Sequence, residues 1–212
     1  AEQLAHGTRA DYRPRKSVAR TANRENAMAS GVWGEKECDK MVDRVDINIK
    51  RNSLEKNQLM ILDMLANYDW KRPIYLTQVY IMQDLGLMDY LQFDGYAYRF
   101  VPILTPVQNP YEIGRIDADY AAPLLKETFR YGNLNDPRVY VDYFIQYNLS
   151  ASHARDSFAR VAKELLRENR LDDAAELPDL GLQRPPTSPT PLPHPNTNPH
   201  QPTAQPHTQL KP

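Results

Sequence analysis

The segment 70–76, Trp-Lys-Arg-Pro-Ile-Tyr-Leu, constrains the fold more than any other part of this chain. Proline has no backbone N–H and disfavours helical geometry in the residue before it, so Pro73 ends any helix that precedes it. The β-branched and aromatic residues that follow predict a strand at residues 74–77. The segment is therefore predicted to join a helix to a buried strand.

The helix before Pro73 has the strongest pattern in the chain. Ser53 is a suitable N-cap, and the helix should run to about residue 67. Its apolar side chains cover too wide an arc for a helix at the surface, so we expect it to lie at the centre of the domain. They are Leu59, Met60, Ile61, Leu62, Met64 and Leu65.

Short strand patterns lie on both sides of this helix. Val45, Ile47 and Ile49 alternate with polar residues and predict a half-buried strand. A short helix at residues 85–91 is predicted to lead into a strand at residues 96–103. We expect this strand and residues 74–77 to lie side by side in one sheet. This alternation predicts the α/β class, with a small sheet of about three strands and flanking helices.

A helical hairpin is predicted next, because apolar residues recur at helical spacing from Phe158 to Leu166 and a second helix begins near Ala174. The hairpin resembles one tetratricopeptide-type unit but departs from it at Pro178, which lies in the middle of the second helix, where proline costs about 3 kcal/mol. We hypothesise that the sequence from about Leu177 onward is read out of frame.

The chain is thus divided into four parts. We predict a flexible arm at 1–16, an α/β domain at 17–143, the helical hairpin at 144–183 and a disordered Pro-rich tail at 184–212. The tail holds most of the prolines and almost nothing apolar, so it cannot offset the entropy of ordering.

Composition excludes several classes of function. A net charge of −1 gives no reason to expect nucleic acid as a partner. Cys38 is the single cysteine, so neither an internal disulfide nor a Cys-based metal site is predicted. No apolar run approaches the length of a transmembrane segment. The first residue is Ala1, and we expect the chain to be a fragment of a longer protein.

Six residues are candidates for a surface or ligand site. Trp70 can stack on a sugar ring or cap the core, and Arg99 can bind an anion or pair with a nearby aspartate. Asp117 can act with Asp119 as a carboxylate pair or cap the helix that follows. The six are Trp70, Arg72, Asp94, Arg99, Arg115 and Asp117.

The alternating residues Tyr96, Tyr98 and Phe100 predict an aromatic row on one face of a strand, either a sugar platform or part of the core. No Gly-rich phosphate loop, nucleophile–base pair or zinc spacing is present in the sequence. We therefore predict no catalytic residue, no cofactor and no metal ligand.

Five strings in the chain resemble the soluble C-terminal region of a family of bacterial multi-pass membrane glycosyltransferases, related to vertebrate transmembrane O-mannosyltransferases. The resemblance runs from about Val18 to Leu180. The strings are 63–76, Leu85-Gly86-Leu87, 95–102, Gly114-Arg115-Ile116-Asp117 and Tyr131-Gly132-Asn133.

This resemblance implies an N-terminal membrane body that carries the transferase site, followed by a soluble region outside the cytoplasm. The catalytic acid of the family lies in the membrane body, and no position here matches it. The expected function is therefore a non-catalytic accessory domain on the periplasmic side of the inner membrane, tethered by upstream spans. Its expected partners are the membrane body and an acceptor protein. The alternative is a free-standing repeat-type module that binds another protein.

Overall fold

The computed structural model of the chain describes residues 17–109, 111–133, 136, 138 and 151–183. The predicted arm at 1–16 and the predicted Pro-rich tail at 184–212 lie outside these residues. The predicted mixed α/β class is confirmed, because the described residues form helices together with two small antiparallel sheets. The helices are α1 Arg24–Ala29, α2 Glu35–Cys38, α3 Lys56–Ala66, α4 Tyr80–Asp84, α5 Ala118–Pro123, α6 Ala151–Arg167 and α7 Leu171–Gln183.

The first sheet has two strands, β1 Ser17–Thr21 and β2 Arg44–Asn48, which pair antiparallel with Val18 opposite Ile47. Strand β2 is the predicted half-buried strand, and Val45 and Ile47 face the core. Strand β1 was not predicted, because its exposed residues have no clear alternation of apolar and polar side chains. Pairing with β1 places β2 outside the three-stranded sheet.

The second sheet has the order β3–β5–β4, where β3 is Tyr75–Leu76, β4 is Leu91–Phe93 and β5 is Tyr98–Phe100. The predicted neighbourhood of residues 74–77 and 96–103 is confirmed, since Tyr75 lies opposite Arg99. The predicted helix at 85–91 is wrong. Helix α4 ends at Asp84, a 3-10 turn spans Met88–Tyr90, and β4 follows at once.

Helix α3 does not lie at the centre of the domain, so that prediction is wrong. Leu65 is buried, but Leu59, Met60 and Met64 are 52%, 66% and 53% exposed. The sequence pattern shows that the helix is apolar on many sides, yet only one side meets the core. The helix also begins later than predicted, at Lys56, where the backbone N–H of Glu55 donates to Gln58 Oε1 at 2.8 Å.

The buried apolar residues form two separate clusters. The first joins both sheets with α3 and α4 and contains Trp70, Met82 and Phe100. The second joins α5 to the hairpin and contains Ala121, Leu125 and Phe158. Helix α5 therefore packs with the hairpin and not with the core of the sheets.

The helical hairpin forms between α6 and α7, and Asn169 takes a left-handed conformation (φ 62°) in the turn. Helix α7 passes through Pro178 and continues to Gln183. Contacts with α6 explain this continuity: Leu177 is fully buried, and Gly181 lies directly against Phe158. Within the described residues, no helix has both the length and the apolar character needed to cross a bilayer.

Candidate functional site

Arg99, in the middle of β5, is the most unusual residue of the structure because its charged side chain is fully buried. Its guanidinium lies between two aromatic rings, 4.6 Å from the centroid of Trp33 and 4.5 Å from that of Tyr120. It donates to the carbonyl of Val32, and its Nε lies 2.9 Å from Asp94 Oδ2. Burying a charge is costly unless it is paired, and here Asp94 provides the pair.

Asp94 begins a chain of polar contacts that leads from Arg99 towards the surface. Gln92 Nε2 donates to Asp94 Oδ1 at 2.9 Å, and Gln92 Oε1 accepts from Arg115 Nη1 at 2.5 Å. The same nitrogen of Arg115 lies 2.5 Å from Glu37 Oε2. These five residues, Glu37, Arg115, Gln92, Asp94 and Arg99, form what we call the buried polar network.

Backbone pairing holds the network in place. Strand β4 supplies Gln92, and its neighbours bond to the segment that carries Arg115: the N–H of Arg115 donates to Leu91 O, and the N–H of Phe93 donates to Arg115 O. Arg99 lies opposite Gln92 in the register of β4 and β5. The side chains of Gln92 and Arg99 therefore point to the same face of the sheet.

The pKa values of the two acids of the network are shifted in opposite directions. Desolvation raises the pKa of Asp94, although the charge of Arg99 opposes part of this effect. Burial also acts on Glu37, but the hydrogen bond from Lys40 and the charge of Arg115 outweigh it and lower the pKa of Glu37. Glu37 is therefore held in its charged form at the outer end of the network.

The structure brings Asp94, Arg99 and Arg115 together, with Asp117 two residues beyond Arg115. Asp117 is the N-cap of α5, because its Oδ1 accepts from the N–H of Tyr120 at 3.3 Å. Asp119 does not share that role; it lies 2.7 Å from Arg170 on the hairpin. The capping role considered for Asp117 is confirmed.

Trp70 and Arg72 do not join this network. Trp70 is 2% exposed, lies 5.5 Å from the ring of Phe100 and donates from Nε1 to Thr21 O at 3.0 Å. It therefore closes the core between the two sheets, which is the packing role considered for it. Arg72 is exposed on the loop after Trp70.

The predicted aromatic row is divided between the two apolar clusters. Phe100 packs with Trp70, whereas Tyr96 lies outside β5 and packs against Phe129 in the second cluster. Tyr98 contacts the ring of Phe93 at 5.2 Å. The three rings do not form a continuous platform, because the left-handed turn at Gly95 (φ 96°) changes the chain direction before β5.

Sequence analysis missed several residues that complete the site. Trp33 and Tyr120 flank Arg99 from segments far apart in the chain, and Glu37 comes from a helix of four residues. Arg160 of α6 lies over the ring of Phe93 at 3.9 Å. The sequence offered one signal for these residues, because Arg99 lies at the centre of an apolar strand and a buried arginine needs partners. That signal does not show which residues the partners are.

Two clefts meet at Arg115 and Ile116. One of about 460 Å³ lies beside α2 and the start of α5, and one of about 670 Å³ lies between the 105–116 segment and α6. In the part of the chain that the structure describes, no group of three or more His, Cys, Asp or Glu side chains could hold a metal ion.

Residues 1–120 match the family model described as TMEM260-associated domain 2. No curated protein and no solved structure matches the chain significantly. The matched region contains α1 to α4, both sheets and all six candidate residues. Four of the six lie in or beside the buried polar network.

Proposed function

Because the chain belongs to the family of TMEM260-associated domain 2, we propose that it is a non-catalytic accessory domain of a membrane-bound glycosyltransferase. TMEM260 is itself linked to a protein O-mannosyltransferase-like family. The family match is the observation that carries the proposal. We assign the parent to the bacterial multi-pass members that the sequence resembles, with a lipid-linked sugar donor and this domain on the periplasmic side.

The buried polar network supports a structural role for its charged residues. Asp94 and Arg99 are only 3% and 0% exposed, and each is the other's ionic partner. A general acid or base must reach the proton that it transfers. These side chains instead join the sheet to α5 through Tyr120, so we assign them to the rigidity of the domain.

The surface of α3 favours bracing of the membrane body over presentation of an acceptor. Leu59, Met60 and Met64 expose more than half of their surface, and contiguous exposed apolar side chains mark sites of interaction. Exposed cations lie near both ends of the helix, namely Lys50, Arg51, Lys56, Lys71 and Arg72. Apolar side chains flanked by lysine and arginine suit the boundary between lipid headgroups and protein. We therefore assign α3 to contact with the membrane body of the parent.

The test is glycosyl transfer by the full-length parent after deletion of this region. We expect the deletion to reduce transfer, and the triple variant Leu59→Ser, Met60→Ser, Met64→Ser to reproduce much of the loss without unfolding the domain, because these side chains contribute little to the core. A matched control replaces three exposed leucines of the hairpin, Leu166→Ser, Leu171→Ser and Leu182→Ser, and should retain transfer. Undiminished transfer to every acceptor after the deletion would refute the accessory role.

The hairpin supports a second candidate function, a protein-binding module. Leu166, Leu171 and Leu182 are 54%, 62% and 54% exposed on α6 and α7. A tetratricopeptide-like unit buries such side chains against a neighbouring repeat or a bound protein. The same pair of triple variants separates the candidates, since loss of function in the hairpin variant alone would favour this one.

A further inference from the structure

We infer that the 670 Å³ cleft between the 105–116 segment and α6 is a binding site for a phosphoryl anion, independent of the proposed accessory role. The walls are a loop with neutral polar side chains, such as Gln108 and Asn109, and the charged side of α6. The 105–116 wall lies within the matched residues 1–120, and the α6 wall lies beyond them.

The charge of the lining is the first argument. Four cationic side chains line the cleft against two carboxylates, and Glu37 pairs with one of the cations from behind the lining, which leaves an excess of one positive charge. The cations are Arg115, Arg160, Lys163 and Arg167, and the carboxylates are Glu112 and Glu164. The whole chain, by contrast, has a net charge of −1, so this excess is local. A concave site lined by one sign of charge raises the local concentration of ions of the opposite sign.

Both carboxylates are already neutralised by residues of α6. Glu112 lies 2.5 Å from Lys163 Nζ and 3.9 Å from Arg167 Nη2, and Glu164 accepts from Arg167 Nη1 at 2.8 Å. The hydrogen bond from Lys163 and the nearby positive charges, Arg160 among them, lower the pKa of Glu112. Arg115 is paired with Glu37, so the positive charge that these pairs do not compensate is that of Arg160.

Arg160 is the second argument, because the described residues that fix its guanidinium are neutral groups only. It lies 3.9 Å from the centroid of Phe93, and it donates to Ile113 O at 2.6 Å and to Tyr98 Oη at 3.3 Å. Among the described residues, no carboxylate lies within 4.0 Å of it. A guanidinium has five N–H donors, and these neutral acceptors take two of them. Within the described part of the chain, this charge is thus held in position without an ionic partner.

Arginine and lysine side chains together recognise phosphoryl oxygens, the guanidinium through its planar fork and the ammonium as a point charge. Sugar phosphates and lipid headgroups share this phosphoryl chemistry. The volume of the cleft accommodates a phosphorylated headgroup with polar substituents, for which Gln108 and Asn109 supply donors and acceptors. The inferred ligand is therefore defined by its phosphoryl group.

The experiment uses the complete 212-residue chain. Inorganic phosphate, pyrophosphate and glucose 1-phosphate are titrated by calorimetry at low ionic strength, with glucose as the neutral comparison. Sedimentation with vesicles of phosphatidylcholine, with and without phosphatidic acid, forms the second arm. The test variant is Lys163→Gln with Arg167→Gln, which leaves the packed Arg160 in place, and the control is Lys56→Gln with Arg72→Gln, which removes the same charge from exposed positions elsewhere.

We expect phosphoryl ligands to bind, glucose not to bind, and the test variant to weaken binding about tenfold, as loss of charge-assisted hydrogen bonds predicts. The control should change affinity less than about twofold. Binding of the soluble phosphates supports a small-molecule source, and cleft-dependent binding of the anionic vesicles supports a lipid headgroup. If neither probe binds, or if the control weakens binding as much as the test variant, the inference is overturned. Neither result depends on transfer by the parent.

Discussion

Replacement of Arg99 by methionine tests the role of the buried polar network most directly. Methionine keeps the length and apolar stem of the side chain but removes the guanidinium. The substitution leaves Asp94, which is 3% exposed, without its ionic partner, and it removes the cation between the rings of Trp33 and Tyr120. Both effects destabilise the folded state, because a buried carboxylate without a partner bears its full desolvation cost.

The expected loss is large relative to the stability of a small domain. Removing one partner of a buried ion pair costs about 3–5 kcal/mol. Each desolvated cation–π contact is worth about 2 kcal/mol, and the two share one cation, so the contributions overlap. We therefore expect Arg99→Met to lower the free energy of unfolding by about 4 kcal/mol or more, out of roughly 5–15 kcal/mol for an ordinary domain. The double variant Arg99→Met, Asp94→Asn should lose less, because no unpaired charge remains.

The assay is urea unfolding followed by circular dichroism and by tryptophan fluorescence. The chain has two tryptophans, Trp33 beside Arg99 and Trp70 in the core of the sheets, so fluorescence reports on the site and on the main core together. The matched control is Arg51→Met. Its Nε lies 3.0 Å from Asp84 Oδ1, but its side chain is 51% exposed, so we expect a loss of less than about 1 kcal/mol. If Arg99→Met costs no more than Arg51→Met, or if the double variant is less stable than either single variant, the argument is refuted.

Three further predictions concern other parts of the structure. Because the pKa of Glu37 is lowered from its ordinary value of 4.5, its contribution to stability is present above that pH and is lost as the pH falls through the folded-state value. Glu37→Gln should therefore give a flatter acid limb when unfolding free energy is measured against pH, and an unchanged limb would contradict this. Gly86→Ala should lower the free energy of unfolding in urea by about 1–3 kcal/mol more than Gly31→Ala does. Both glycines have positive φ (69° and 73°), but only at Gly86 would a new Cβ lie 2.7 Å from Asn48 O. Equal losses would show that Asn48 moves aside. Gly181→Ala should destabilise the hairpin by about 1–3 kcal/mol, because the new Cβ would lie 2.9 Å from Phe158 Cβ, and a gain in thermal stability would show that helix propensity outweighs the contact.

Local patterns predicted the elements whose signals are contained within a few residues. The pairing of residues 74–77 with 96–103, the half-buried strand β2 and the helical hairpin all follow from periodicity and turn signals. The capping role of Asp117 could also be considered from sequence, since a carboxylate before an alanine-rich helix is a common N-cap.

The errors arose where tertiary contacts decide the outcome. Helix α3 has apolar residues on several sides, and the sequence cannot show which side a neighbour covers. Helix α7 passes through Pro178 because packing of Leu177 and Gly181 on α6 offsets a local cost. The aromatic partners of Arg99 are distant in sequence, so no spacing rule connects Trp33 or Tyr120 with it.

Arg99 also joins the two apolar clusters, and this position explains why one residue should influence the whole domain. Arg99 donates to the carbonyl of Val32 and pairs with Asp94, and both partners lie on the side of the sheets. Its guanidinium also lies against the ring of Tyr120, which belongs to α5, and α5 packs with the hairpin. A second connection exists farther out, where Arg160 of α6 donates to Ile113 O and covers the ring of Phe93. Both connections run through arginines that contact neutral and aromatic groups, and Arg99 has an ionic partner in addition. Such contacts fix the relative orientation of the packed elements more strongly than buried apolar area alone does, because each guanidinium must meet several partners in one geometry. Arg99 and Arg160 therefore fix the sheets and the hairpin relative to each other at two separate points.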